Sequence, residues 1–311
     1  MAFGDAYLRH PDLFPARRFG DPWGQEALVI DFAGGPYRFT GLTPAQKSTL
    51  AERFGDMAGD VTPPGAPGPV PIPLFRAPAA EFKPVELDGW SYTFDRRYLE
   101  HAVEIAGLDF MARVDWRPGL LGALWTPLDG GPFFRSQVEN FFRLLVAYRL
   151  LELGGVLFHS AGVVSGDRSF LFLGPSGAGK TTISRLSLAA GREVLSDDMN
   201  ALCPPPDGGP VRLEKLPFAG DLGNQPGKRR SFPLAAFCRL RQGEHRLTPL
   251  RAAESVAFLV GCAPFINADP HRLDALTDNL LRLVRSLPAY ELSFAKDGGF
   301  WPLLEGACPA Q

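Results

Sequence analysis

Residues 170 to 198 read FLFLGPSGAGKTTISRLSLAAGREVLSDD: an apolar strand, a glycine-rich loop closing on Lys-Thr-Thr, a helix, a second short apolar strand and two aspartates. Gly174, four intervening residues, then Gly179, Lys180 and Thr181 fit the spacing G-x-x-x-x-G-K-[ST] of a phosphate-binding loop. The context the pattern requires is also present, because Ser169 to Leu173 reads as a strand and Thr181 to Ala190 as a helix that Gly191 closes. Glycines let backbone N–H groups approach phosphate oxygens, and the N-terminus of a helix adds partial positive charge. The segment Gly174, Pro175, Ser176, Gly177, Ala178, Gly179, Lys180, Thr181 and Thr182 is therefore the candidate nucleotide site. Lys180 would reach the β- and γ-phosphates and the Thr181 hydroxyl a magnesium ion. Thr182 has no contact of its own assigned.

Glu193 to Leu195 then reads as a short strand, with Ser196, Asp197 and Asp198 at its C-terminal end, where α/β sheets place ligands. Asp197 is assigned as the base or orienting carboxylate and Asp198 as the metal ligand, with an exchange of the two roles left open. The competing reading of SDDMN is a local turn built on its own short polar side chains.

The run Gly174-Pro-Ser-Gly-Ala-Gly-Lys-Thr-Thr182, a short strand and then Asp-Asp resembles HPr kinase/phosphorylase and, more distantly, phosphoenolpyruvate carboxykinase. Upstream, GVLFHSAGVVSGDRSFLFLGPSG resembles the HPr-kinase arrangement of a histidine-bearing strand, a tight hairpin and the strand that feeds the loop, with His159 in the histidine's place. The likeness covers residues 150 to 200 well and the rest of the C-terminal half weakly. It implies an HPr-kinase-like domain on a mixed sheet, ATP and Mg²⁺ as cofactors, and transfer of phosphate to a serine of a peptide or protein, including the precursor peptides of natural products. It also makes Lys180, Asp197 and His159 the catalytic candidates. Asp221 is the nearest match to a further carboxylate that holds metal or substrate in these families. A small-molecule kinase and a non-catalytic nucleotide-binding scaffold are the alternatives. A convincing C-terminal signature of HPr kinase/phosphorylase is absent, so neither HPr as substrate nor the reverse phosphorolysis carries over.

The chain has 311 residues, 45% of them hydrophobic and 21% charged, with a net charge of −2. Those values describe a globular protein of about two domains, which the strand–loop–helix–strand run places in the α/β class, with no electrostatic case for nucleic acid or an anionic membrane. The N-terminus lacks the unbroken apolar run of a secretory signal, and the four cysteines show no CxxC spacing, so cytoplasm is the expected location. Assembly state has no signature.

An α+β domain is expected over 1–132 and the catalytic domain over 133–311. In the first, Ala27–Phe32 and Tyr37–Thr40 read as strands, followed by a helix capped by Thr43 with Pro44 at its first position. Eight prolines between Thr62 and Pro84 argue for an extended linker, with a polyproline ligand around Pro64 as the alternative. Gly89–Phe94, Phe110–Asp115 and Ala123–Pro127 read as strands and Tyr98–Ile105 as a short helix carrying His101. In the second, Ser136-Gln-Val-Glu139 has the form of a capping box opening a long apolar helix that Gly154-Gly155 closes. Val156–Val164 and Ser169–Leu173 form a hairpin. Leu202 to Gly209 is read as a turn. Lys228, Arg229 and Arg230 are either phosphate-binding cations on a glycine- and proline-rich loop or a solvated turn. Strands at Val211–Lys215, Phe232–Arg241, Arg246–Pro249 and Tyr290–Phe294, helices at Pro249–Val260 and Asp274–Leu287, and a C-terminal tail complete the expectation.

Overall fold

A computed structural model describes residues 2–14, 20–62, 67–84, 94–204, 208–218, 220–223 and 231–309. The expected strand over 89–93, Trp90, Tyr92, Pro64 and the basic run Lys228, Arg229 and Arg230 lie outside the described residues. The chain is a mixed α/β protein of two compact units, 1–145 and 146–311, each with its own mixed sheet. No helix among the described residues is long and apolar enough to cross a membrane.

The first unit contains β1 (Glu26–Ile30), β2 (Tyr37–Leu42), α1 (Pro44–Phe54), β3 (Ala58–Gly59), β4 (Val70–Arg76), β5 (Asp95–Leu99), β6 (Ala102–Gly107), β7 (Phe110–Asp115) and β8 (Leu121–Thr126). They form one sheet in the order β3-β1-β2-β4-β8-β7-β6-β5. Thr43 caps α1 with a reciprocal capping box to Gln46, as its sequence implies. Two expectations fail here. The proline-rich stretch contributes β4, a strand in the middle of the sheet. It is tolerated because β4 pairs with β2 over Val70 to Pro73 and with β8 only from Leu74 onward, and the Val70 N–H points to the β2 side. Alternation then turns the missing N–H groups of Pro71 and Pro73 to the side where no ladder has begun. Tyr98–Ile105 is a hairpin, not a helix, and His101 lies in its turn. The buried Glu104 finds its cations on the neighbouring strands, Arg97 on β5 and Arg113 on β7, in direct cross-strand register.

Helix α2 (Gly131–Glu152) crosses from one unit to the other. It starts five residues before the expected box, at Gly131-Pro132, where proline loses no helical hydrogen bond. Ser136 is consequently inside the helix and bonds back to the Pro132 carbonyl, while Glu139 pairs with Arg53. The helix ends as expected, with Gly154 N–H on Leu151 O and Gly155 N–H on Leu150 O.

The second unit comprises β9 (Val156–Ser165), β10 (Arg168–Leu173), α3 (Lys180–Ala189), β11 (Glu193–Ser196), β12 (Met199–Cys203), β13 (Arg212–Glu214), β14 (Ser231–Gln242), β15 (Arg246–Pro249), α4 (Ala252–Gly261), α5 (Leu273–Ser286), β16 (Ala289–Phe294) and α6 (Trp301–Ala307). Strands β9 and β10 form the expected antiparallel hairpin. Strand β10 also pairs in parallel with β14, and β14 with β13, β13 with β12 and β12 with β9, so five strands close a ring. Strand β16 adds to β14 in parallel, with β15 antiparallel at the edge.

Three further boundaries differ from the expectation. Leu202 and Cys203 are not turn residues but the end of β12, opposite Leu213 and Arg212. Pro249 does not open a helix; it is the last residue of β15 at the sheet edge, where proline is tolerated, and α4 begins at Ala252. The C-terminal tail is a helix, α6, because Phe300, Trp301 and Leu304 are buried on one side against Phe170 and Phe172 of β10.

Candidate functional site

The glycine-rich loop joins β10 to α3, as the spacing implies. Gly179 is the residue before the helix, with φ 108°, and the Phe294 ring stands where a Cβ would go, 2.8 Å away. Any other residue would face both a disfavoured backbone and a clash with the end of β16. The buried Lys180 folds its ammonium back inside the loop, donating to Gly174 O at 3.0 Å and Pro175 O at 3.3 Å. Burial lowers its pKa, against the influence of Cys262 and of the Asp198 carboxylate, so these groups share one electrostatic neighbourhood. Pro175, Ser176 and Gly177 are exposed, and Thr182 is half-buried in the first turn of α3. That helix closes with Arg192 N–H on Ser187 O and Gly191 N–H on Leu188 O.

Asp197 and Asp198 reach the same place through an interruption in a ladder. Strands β11 and β12 both pair antiparallel with β9, in succession. The register slips between Val194 and Ser196, and pairing resumes at Met199 opposite His159. The two aspartates occupy the gap. Ser196 Oγ accepts from the N–H groups of Asp198 and Met199, so the local turn foreseen for SDDMN exists but is made by the serine, which leaves both carboxylates for other partners.

Asp197, 5% exposed, accepts from Thr181 Oγ1 at 3.3 Å and from Leu222 N–H at 3.4 Å. Asp198 is more open and has an oxygen 3.7 Å from Nε2 of His159, the exposed fourth residue of the ten-residue β9. The structure thus brings together Lys180, Thr181, Asp197, Asp198 and His159. It pairs Thr181 with Asp197, whereas the sequence assignment had paired it with Asp198. Asp221 is exposed, in the turn between Gly220 and Leu222, both of which touch Asp197. Among the described residues no group of three or more His, Cys, Asp or Glu side chains forms a metal cluster.

Three further contributors belong to no motif in the sequence. Cys262, just after α4, receives the Gly174 N–H at its thiol and the His159 N–H at its carbonyl, and burial raises its pKa to about 11. Gly220 packs on the aspartates so closely that a Cβ would lie 2.3 Å from Asp197 Oδ1. Gln242, at the end of β14, donates its side-chain amide to Gly177 O at 3.1 Å. Only Gln242 had a usable signal: it follows a predicted strand at the carboxyl end of the sheet.

The site therefore offers a loop of backbone N–H groups, one buried cation, a hydroxyl beside a buried carboxylate, and a second carboxylate beside an exposed imidazole. None of the curated proteins matches this chain. A family model described as "SynChlorMet cassette protein ScmC" matches residues 140–308, just over half of the chain and every residue of the site, and the chain belongs to that family.

Proposed function

We propose that the chain is an ATP-dependent kinase of HPr-kinase-like fold that transfers the γ-phosphate to a hydroxyl, that of a serine in a peptide or protein. The observation that carries this reading is the Thr181–Asp197 contact beside Lys180. Residues 16 apart in the chain meet where a phosphate loop needs a metal-binding hydroxyl and carboxylate. The donor set fits magnesium, which prefers oxygen ligands and is commonly held by one or two carboxylates together with phosphate oxygens. Thr181 and Asp197 would hold the ion, and its chemistry there is to offset the negative charge of the phosphates.

This assignment exchanges the roles given to the aspartates from sequence. Asp198, more open and beside His159, becomes the base. As the acceptor oxygen bonds to the γ-phosphorus and the bond to ADP breaks, the hydroxyl proton passes to Asp198. His159 orients that carboxylate. Lys180 and the loop N–H groups bind and stabilise the phosphates. The serine acceptor rests on the resemblance, as does ATP over other nucleotides. The four free thiols suit a reducing cytoplasm, where ATP is supplied.

The test is to incubate protein, ATP and Mg²⁺ with a peptide library or the source lysate and find by mass which molecule gains phosphate. Phosphate on a serine is expected. Asp198→Asn should keep Mg²⁺-ATP affinity and lose transfer, whereas Asp197→Asn should lose the Mg²⁺ dependence of binding. Phosphate on a small molecule would replace the substrate class, and tight binding without transfer would make the chain a scaffold.

A further inference from the structure

Strand β10 has a different neighbour on each flank. On the β9 side stand Asp197, Asp198 and His159, which mark the end of the nucleotide where phosphate is transferred. On the other side, β14 and β16 run parallel to β10 and end beside the glycine-rich loop, at Gln242 and Phe294. Open sheets bind ligands in the crevice outside such carboxyl ends. With the reacting phosphate fixed on one flank, a triphosphate lying along the loop carries the rest of its molecule toward the other.

That flank is built rather than merely open. Gln242 already holds the loop through Gly177 O. The loop after β14 and the loop after β16 are tied together by Gly243 N–H on Phe294 O and by Ala295 N–H on His245 Nδ1 at 3.4 Å. Because Nδ1 accepts, Nε2 carries the proton and donates to Asp297 Oδ1 at 2.6 Å. Gly299 leaves room for this pair, since a Cβ there would lie 2.8 Å from His245 Nε2. The Asp297 side chain remains 66% exposed. The two loops carry Glu244 and Asp297 against Lys296 alone, so the surface has no net attraction for another phosphate. A side-chain amide and an imidazole-braced carboxylate are partners for hydroxyl and amine groups instead.

We propose that Gln242 and Asp297 form the nucleoside subsite, receiving the ribose and base of the nucleoside triphosphate on the β14–β16 flank of the loop. The assignment rests on the kinase reading of the loop and adds where the uncharged part of the nucleotide binds. Calorimetric titration of Mg²⁺-ATP and of Mg²⁺-tripolyphosphate, which has the phosphates without the nucleoside, separates the two. Gln242→Ala and Asp297→Ala, both at exposed positions, should each weaken ATP by about tenfold, the scale of one lost hydrogen bond to an organised group, and leave tripolyphosphate within about twofold. Equal weakening of both ligands would make Gln242 only a brace for the loop and overturn the subsite, as would no effect on either. A wild-type protein that binds tripolyphosphate and ATP equally well also overturns it while sparing the loop assignment, whereas binding of neither ligand removes both. Melting temperatures of the variants, expected to match wild type, show that the fold is intact.

Discussion

Gly220→Ala tests the site without touching a reactive group. The added methyl carbon would lie 2.3 Å from Asp197 Oδ1, 3.0 Å from its Cγ and 2.9 Å from Asp198 Cβ, where ordinary contacts begin at 3.4 Å. The carboxylate must therefore retreat by about 1 Å, and its hydrogen bonds to Thr181 and to Leu222 N–H, already 3.3 and 3.4 Å long, have no slack to follow it. A misplacement of about 1 Å in a catalytic group costs on the order of 100-fold in rate. Overpacking costs about 1–3 kcal/mol of stability, a shift of a few degrees in melting temperature. The assay is basal Mg²⁺-dependent ATP hydrolysis, which needs no acceptor, followed alongside thermal melting and compared with Asp197→Asn. The expected result is a folded protein with turnover reduced toward that of Asp197→Asn. If Gly220→Ala turns over within about threefold of wild type while Asp197→Asn is dead, the position of the carboxylate does not matter as argued, and the Thr181–Asp197 contact is not the metal site.

Lys180→Met removes the only charge inside the loop and withdraws the ammonium from Gly174 O and from Pro175 O, which keeps the Ala178 N–H; Mg²⁺-ATP affinity should fall by about 2–3 kcal/mol, read by titration, and an unchanged Kd would count against phosphate binding there. The Cys262 thiol, pushed by burial from 9.0 to about 11, stays protonated in the fold when the unfolded chain has ionised. Between pH 9 and 11 the native state therefore holds more protons than the unfolded one, and this group's contribution makes stability fall as pH rises; Cys262→Ala should flatten that slope in denaturant titrations. Phe142→Ala empties a fully buried place where edge-on rings from Phe32, Tyr37, Phe39 and Phe54 converge at 4.8 to 5.7 Å. It should cost about 3–5 kcal/mol by urea denaturation, and an unmoved midpoint would mean that this ring cluster is not the core of the first unit.

What the sequence made legible was local. The loop spacing, the hairpin before it, the Thr43 cap and the glycine ends of α2 and α3 each depend on residues a few positions apart, whose conformational preferences act whatever the tertiary setting. The failures depend on partners far along the chain. Pro71 and Pro73 sit inside a sheet because β8 begins pairing one residue later, which no local rule anticipates. Glu104 looks helical until Arg97 and Arg113 arrive on either side of it. Ser136 and Glu139 have capping-box spacing, but Pro132 had already started the helix. Cys262 lies 88 residues beyond Gly174 and carries no spacing motif, so only the hydrogen bond from Gly174 N–H to its thiol reveals it.

The division of labour proposed for the two aspartates follows from the same contrast between local and distant causes. Neighbours in a regular strand would point to opposite faces, one toward the core and one toward solvent, and could not share a site. Here the ladder slips at Leu195, and Ser196 takes the two N–H groups that would otherwise have sought a carboxylate cap. Bulges of this kind re-aim side chains beside functional sites. Asp197 is turned inward to the Thr181 hydroxyl, and Asp198 stays near the surface with His159 across the resumed pairing. Adjacent carboxylates in such different surroundings suit different tasks: the buried one, fixed by a hydroxyl and a backbone N–H, holds a position, while the open one, beside an exposed imidazole, can exchange a proton with an incoming hydroxyl. The sequence could supply the pair and even the serine before it, but the register of β9 decides which aspartate is buried at Thr181 and which stays open beside His159.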